Sequence, residues 1–287
     1  MTEEIAQRHP VLQNIDLGIG TWAWGDRLYW GYGRGYSDAD LRAAFDYCIA
    51  AGVQLFDTAE IYGQGRSETL LGQFIRESGA QVRVATKFSP YPWRLSRRAL
   101  LRALRGSLRR LGLEQVDLYQ IHFPLPPITV ETWMSAMAEA HQNGMTRAVG
   151  VSNYDRGQMQ RAYDALVHDG VSLASNQVEY SLVNRKIEKN GLLQHCKDLG
   201  VTCIAYSPIG MGVLSGKYTP QNPPKGMRAG RFNANYISAL QPLIKLLTKI
   251  GNERGEKTAA QVAINWTICK GTVAIPGVKN VAQSEQN

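Results

Sequence analysis

Long apolar runs, paired cysteines and clustered histidines are all missing from this 287-residue sequence. No apolar stretch approaches the roughly 20 residues that span a bilayer, so neither a transmembrane helix nor a membrane partner is expected. The opening MTEEIAQRHP holds two Glu and no apolar h-region, so a secretory signal is not expected. Cys48, Cys196, Cys203 and Cys269 are scattered without a CxxC, which points to reduced thiols in a cytoplasmic protein. The five His are dispersed, with neither Cys nor carboxylates gathered beside them, so no metal site is expected. No Ser or Cys has an evident base, which argues against covalent hydrolysis. A GxGxxG after the first apolar run is missing too. "GYGRGY" (Gly31 to Tyr36) supplies only GxGxG, precedes the second run, and reads as a flexible surface loop.

What is present is a globular composition, 44% apolar and 20% charged, with a formal net charge of +8. The most basic segment, "RRALLRALRGSLRRLG" (Arg97 to Gly112), raises nucleic-acid binding as a possibility. Leu100, Leu101, Leu104, Leu108 and Leu111 recur in it at helical spacing. An amphipathic helix with a solvated arginine face is the better reading, and no nucleic-acid partner is expected. The positive field would favour an anionic cofactor or substrate.

Eight short apolar runs alternate with helical segments. They are Ile15 to Gly20, Val53 to Thr58, Val82 to Lys87, Val116 to His122, Thr146 to Ser152, Leu173 to Tyr180, Val201 to Ser207 and Thr272 to Gly277. Several intervening segments, such as "SETLLGQFIRESG", end in Gly where a helix C-cap is expected. This rhythm implies parallel strands joined by crossover helices. Eight units suit a (β/α)₈ TIM barrel as one domain over residues 1–287, with a doubly wound open sheet as the rival. About 65 residues separate the last two runs, beginning with the Gly/Pro/Lys-rich segment Ser207 to Phe232, so a long loop after strand 7 is expected to act as a lid or binding loop. Two helices, near Ile237 to Arg254 and Ala259 to Cys269, follow it. Only "VKNVAQSEQN" follows the eighth run, so a natural C-terminal segment is expected beyond Asn287.

Polar residues gather where the runs end: Asp57, Lys87, His122, Ser152 with Asn153, Gln177, and Tyr206 with Ser207. In a barrel these positions line the mouth, where active sites are built. A buried carboxylate–ammonium pair is costly unless it has a use. A phenol beside the ammonium is expected to have its pKa lowered, and could donate a proton while a His hydrogen-bonds a carbonyl oxygen. In "FDTAEIYG" (Phe56 to Gly63) the strand would deliver Asp57 and the turn would swing Tyr62 back over it. Such a set suits protonation of an oxyanion as hydride reaches the carbonyl carbon.

"GTWAWGD", "LFDTAEIYGQGRSETLLG", "VATKF", "VDLYQIHFP", "AVGVSNY", "NQVEYSL", "AYSPIGMGVLSGKY" and "IPGVKNVAQSEQN" together resemble the aldo-keto reductase family, in the family's order and over nearly the whole chain. The "SGKY" loop and "IPGVKN" are most similar to the branch holding potassium-channel β subunits and bacterial or plant reductases. The resemblance implies NADPH-dependent reduction of a small-molecule aldehyde or ketone, with Asp57, Tyr62, Lys87 and His122 as the catalytic tetrad and Tyr62 as general acid. It also raises a rival, a nucleotide-sensing partner protein with incidental catalysis. His122, the histidine on the oxyanion side, argues for the enzyme. The resemblance gives Glu60 and Glu68 no role, and oligomerisation stays open.

For the cofactor, the resemblance places Gly20, Thr21 and Trp22 beside the nicotinamide ribose and counts Asp57 among the cofactor-binding residues. Ser152, Asn153 and Gln177 fall on the carboxamide, and Tyr206 stacks on the ring. Ser207, Pro208, Gly210, Leu214, Ser215 and Lys217, with Arg228, fall on the pyrophosphate. Gly277 and Lys279 meet a 2′-phosphate, and Gln283, Gln286 and Asn287 the adenine. Many relatives carry a Lys-Ser pair where this chain has Gly277 and Val278, an Arg near Gln283, and Glu at position 286. Lys279 still supplies a charge, so NADPH is favoured, with NADH as the weaker alternative. Trp24, Tyr29, Trp30 and Trp93 are expected to line a substrate pocket with Tyr62 and His122. Small or aromatic aldehydes, quinones, sugars and pyridoxal all remain compatible.

Overall fold

The structure, a computed structural model, describes residues 8–287. The first seven residues, part of the segment expected to hold no secretory signal, lie outside the described residues. Eight parallel strands follow one another in chain order: β1 (Ile19–Gly20), β2 (Leu55–Asp57), β3 (Arg83–Phe88), β4 (Val116–Ile121), β5 (Thr146–Ser152), β6 (Leu173–Glu179), β7 (Thr202–Tyr206) and β8 (Val273–Ile275). The residues around β1 bridge to β8, Leu17 with Ala274 and Gly20 with Gly277, so the sheet curls into a barrel. The (β/α)₈ reading holds, and the open-sheet rival falls.

The connecting helices are α1 (Asp38–Ala50), α2 (Arg66–Ser78), α3 (Arg97–Leu111), α4 (Val130–Gln142) and α5 (Arg156–His168), then α6 (Lys186–Lys189) and α7 (Leu192–Asp198) between β6 and β7. Many of these helices start on a side-chain cap. Ser37 with Asp40 and Asp155 with Gln158 form reciprocal capping boxes. Gly79 and Gly112 end α2 and α3 in left-handed conformation, as the sequence predicts. The five predicted leucines of α3 are buried, and Arg98, Arg102, Arg105 and Arg109 face solvent. No helix among the described residues is long and apolar enough to cross a membrane.

Between β7 and β8 lie two 3₁₀ turns, α8 (Ala234–Glu253) and α9 (Ala259–Cys269). This insertion has its own apolar cluster, including Leu214, Phe232, Ile237, Leu240 and Ala263, which holds it as an ordered cover rather than a loose loop. The short α10 (Val281–Gln286), capped by Asn280, packs on α1. "GYGRGY" makes turns in the β1–α1 connection, but it is anchored: Tyr36 is buried and its hydroxyl donates to the Ala23 carbonyl at 2.5 Å.

Inside the barrel, Leu12, Ile15, Leu55, Ala85, Leu118, Ala148, Ala174, Ile204 and Val273 form one apolar plug. One pleat further along the strands the inward positions turn polar. In β6 this depends on a bulge: Val149 pairs with Leu173 but Gly150 with Ser175. The extra residue, Ala174, sends both Ser175 and Gln177 inward, towards Gln120.

Candidate active site

The inward polar layer converges on Asp57. Its carboxylate pairs with the Lys87 ammonium, and both side chains are almost completely buried. The other carboxylate oxygen accepts from Gln177 Nε2 at 2.8 Å and from Gln120 Nε2 at 3.3 Å. Lys87 also donates to the Thr58 carbonyl at 2.9 Å and reaches the Tyr62 hydroxyl at 3.4 Å. These bonds are what make the buried pair tolerable. The His122 ring stands edge-on to Tyr62, 5.7 Å between centroids. The four predicted tetrad residues therefore meet.

The turn that returns Tyr62 to the site is built from left-handed residues. Gly63, Gln64 and Gly65 have φ of 53°, 56° and 91°. A Cβ on Gly63 would stand 2.7 Å from the Gly25 carbonyl, so this turn tolerates glycine there and little else. The start of α2 then locks the strand ends. Ser67 Oγ lies 2.7 Å from Thr21 Oγ1 and 2.9 Å from Thr58 Oγ1. Glu68, fully buried, accepts from Thr86 at 2.5 Å and from Arg110 Nε at 2.7 Å. Residues beside Trp22, Asp57 and Lys87 are thus tied to one helix terminus, which gives Glu68 the role that the sequence left blank.

One electrostatic expectation is reversed. Burial pushes the Tyr62 phenol well above its ordinary value, and the Asp57 carboxylate pushes it the same way. The charge of Lys87 is already matched by Asp57, so it does not offset the desolvation of a phenolate. Burial also lowers Lys87, against the pull of Asp57. His122 is pushed down to about 3 by burial and then by Lys87, so its imidazole is neutral.

A cleft of about 620 Å³ opens above this layer. Of the predicted cofactor residues, Gly20, Trp22, Asp57, Ser152, Asn153, Gln177, Tyr206, Ser207, Pro208, Ser215, Lys217, Arg228, Gly277, Lys279, Gln283, Gln286 and Asn287 line it. Three do not. Thr21 points down to the Asp57 carbonyl, Leu214 is buried in the insertion's own core, and Gly210 lies beneath that turn against Val183. Gln177 lines the cleft, but its amide N–H already donates to Asp57. Ser152 Oγ donates to the Gln177 carbonyl at 2.9 Å, and the Tyr206 hydroxyl donates to Asn153 Oδ1 at 3.0 Å.

Three substrate-pocket expectations fail. Trp24 is 0% exposed, packed on Phe56 and Phe74, with its indole N–H donating to the Val278 carbonyl at 3.1 Å. Trp93 is 76% exposed and stacks on Tyr91 outside the cleft. Tyr29 does not line the cleft either but stacks on Trp22 at 4.8 Å, whereas Trp30 lines it as expected and Trp22 lines it too. The sequence reading missed Asp26, Phe123, Glu179, Met211 and Arg231, which also line it. Glu179 was within reach, since it follows Gln177 by two on the same strand. Arg231, paired with Glu179 at 2.6 Å, comes from irregular backbone with no periodic signal.

At the far end, Lys217, Arg228 and Lys279 converge. Lys279 Nζ donates to the Trp30 carbonyl at 3.1 Å and sits 4.6 Å from that ring's centroid, while Arg228 lies 5.3 Å from it. Burial, with the charges of Arg228 and Lys217, pushes Lys279 down to about 8. Among the described residues no three His, Cys, Asp or Glu side chains are placed to hold a metal ion.

The profile of the Aldo/keto reductase family matches residues 16–287. The chain belongs to the aldo/keto reductase family. It is similar to the chloroplastic pyridoxal reductase of Arabidopsis thaliana, 43% identical over 284 residues that cover 94% of this chain and 77% of the relative. It is 33% identical to the L-glyceraldehyde 3-phosphate reductase of Escherichia coli (strain K12), covering 87% of this chain and 77% of that one. A crystal structure of an aldo-keto reductase from Klebsiella pneumoniae in complex with NADPH superposes with a TM-score of 0.73 at 30% identity, over 95% of this chain and 84% of that one.

Proposed function

We propose that this chain is an NADPH-dependent reductase of aldehydes or ketones in which Tyr62 is the proton donor. The observation that carries this reading is the hydrogen-bonded run Gln177–Asp57–Lys87–Tyr62, which ends beside His122 in the same cleft that gathers three cations at its other end. Lys217, Arg228 and Lys279 suit the phosphates of a dinucleotide, and Lys279 suits a 2′-phosphate. Tyr206, Ser152 and Asn153 would hold the nicotinamide end. NADPH, when bound, supplies hydride to a carbonyl carbon.

The protein's part is to place that carbonyl and protonate its oxygen. Tyr62, held neutral by burial, keeps its proton until an alkoxide forms within reach, a far stronger base than a ground-state carbonyl. Lys87 hydrogen-bonds the phenol oxygen and steadies the charge left on it. Asp57 keeps Lys87 aimed, and neutral His122 adds a contact to the substrate oxygen. Trp22, Trp30 and Phe123 give the approach an aromatic wall, so an aromatic aldehyde of the pyridoxal type is the first substrate to try.

NADPH titration can be followed by quenching of Trp22 and Trp30, and turnover of pyridoxal or L-glyceraldehyde 3-phosphate by loss of the reduced-nicotinamide absorbance. Tyr62→Phe is expected to lower kcat/KM by roughly 10²–10⁴ with NADPH affinity unchanged. NADPH binding with negligible wild-type turnover of any aldehyde would favour the nucleotide-sensing partner instead.

A further inference from the structure

Ser89 and Glu60 lie just past the ends of β3 and β2, and the chemistry above uses neither. Ser89 is fully buried, and its Oγ is 3.1 Å from His122 Nδ1. Its backbone N–H donates to Glu60 Oε1 at 2.8 Å. Glu60 is gripped by the guanidinium of Arg94 through two parallel bonds of 2.9 and 3.0 Å, and Arg94 is itself stacked 4.8 Å over the Phe88 ring. The bidentate pair is the geometrically specific kind of carboxylate contact. The His122 backbone N–H is fixed as well, donating to the Phe88 carbonyl at 2.8 Å. Serine and imidazole are therefore held against each other from both sides.

A neutral imidazole carries one N–H, and its position decides what the ring offers the cleft. If the proton sat on Nδ1 it would donate to Ser89 Oγ. The serine's own hydroxyl proton would then be buried with no other acceptor among the described residues. Orphaned buried donors are the rarer and costlier defect, whereas an under-used oxygen lone pair is tolerated. If the serine hydroxyl donates to Nδ1, the buried hydroxyl is satisfied and Nε2 carries the proton, facing the cleft. Nε2 has no protein partner among the described residues, and His122 lines the cleft.

We propose that Ser89, braced by Glu60 and Arg94, is a positioning residue that fixes His122 as its Nε2–H tautomer, so that the ring presents a donor to the carbonyl oxygen. The inference rests on the reductase reading for its purpose. A bare Nε2 would set a lone pair against the oxygen on which negative charge develops, and would oppose the Tyr62 proton transfer rather than assist it. Tautomer control by a neighbouring side chain is the usual way in which the far ring nitrogen sets the near one.

¹⁵N NMR of the whole protein labelled at histidine tests this without turnover, with His122→Asn identifying the resonances. The wild type is expected to give a pyridine-type Nδ1 and a pyrrole-type Nε2. Ser89→Ala, a deletion small enough to keep the fold, is expected to move both towards averaged values, with an unchanged melting temperature as the control. In parallel it should lower kcat/KM with an aromatic aldehyde about tenfold, with NADPH affinity unchanged. A pyrrole-type Nδ1 in the wild type, or wild-type signatures in Ser89→Ala, would overturn the proposal. The expected NMR pattern in a protein that reduces no aldehyde would keep the tautomer assignment and sink the reductase reading.

Discussion

Two levels of one barrel differ by a single pleat. At the lower level the inward residues of β2, β3, β4 and β7 are Leu55, Ala85, Leu118 and Ile204. Two residues later the same strands present Asp57, Lys87, Gln120 and Tyr206. The backbone is continuous and equally hydrogen-bonded at both levels, so the difference is one of side-chain physics. Below, burial of apolar surface supplies the stability. Above, a charged pair has been taken out of water and contributes little net, because its attraction has to offset two desolvations. The lower level keeps the barrel closed, and the upper level uses that rigidity to hold groups that water would otherwise scatter.

The sharpest way to break this contrast is at Lys87. Lys87→Met leaves Asp57 buried and unpaired, which is expected to cost about 3–5 kcal/mol in urea unfolding and to abolish turnover. Combining it with Asp57→Leu should restore most of that stability while activity stays lost. The recovery should be incomplete, because Gln177 Nε2 loses its acceptor. A single variant as stable as the wild type would mean that the upper level is wetter than its burial implies.

The opposite change belongs to the lower level. Leu118 is completely buried in the plug, and Leu118→Ala should destabilise by about 2–5 kcal/mol through lost burial and a residual cavity. Below the lowered melting transition, NADPH affinity and kcat should keep their wild-type values. A fall in kcat without a fall in stability would show that the two levels are not separable, since Gln120 sits one pleat away on the same strand.

The two levels were not equally legible in the sequence. The strands could be read because both faces are largely buried, which leaves short runs rich in apolar residues. Asp57, Lys87 and His122 stood out because charge at the end of such a run has no structural reason. The failures share a cause, namely that side-chain direction was set by partners distant in the chain. Trp22 and Trp24 are two apart on a turn after a two-residue strand, where no periodicity survives, and Val278 draws Trp24 inward. Gln177 reaches Asp57 only because of the extra residue at Ala174, which no turn residue announces. The direction of the Tyr62 shift was misjudged because a neighbouring cation is visible in a motif, whereas the depth of burial is not.

The smallest expected effect lies at the rim, where neither level reaches. Lys279 is partly buried against Trp30 and Tyr36 and titrates near pH 8, below the ordinary lysine range. On the proposed reading its charged form is the one that would attract a 2′-phosphate, and the neutral form dominates as pH rises through that value. NADPH affinity should therefore weaken between about pH 7 and 9, by up to about tenfold, because a unit of pKa is 1.36 kcal/mol. NADH, which lacks the 2′-phosphate, should bind with nearly constant affinity over the same range. Lys279→Met should flatten the NADPH curve and narrow the gap between the cofactors, leaving Arg228 and Lys217 to hold the remaining phosphates. Tryptophan-quenching titrations at several pH values give both curves. Parallel curves for NADPH and NADH would move 2′-phosphate recognition away from Lys279.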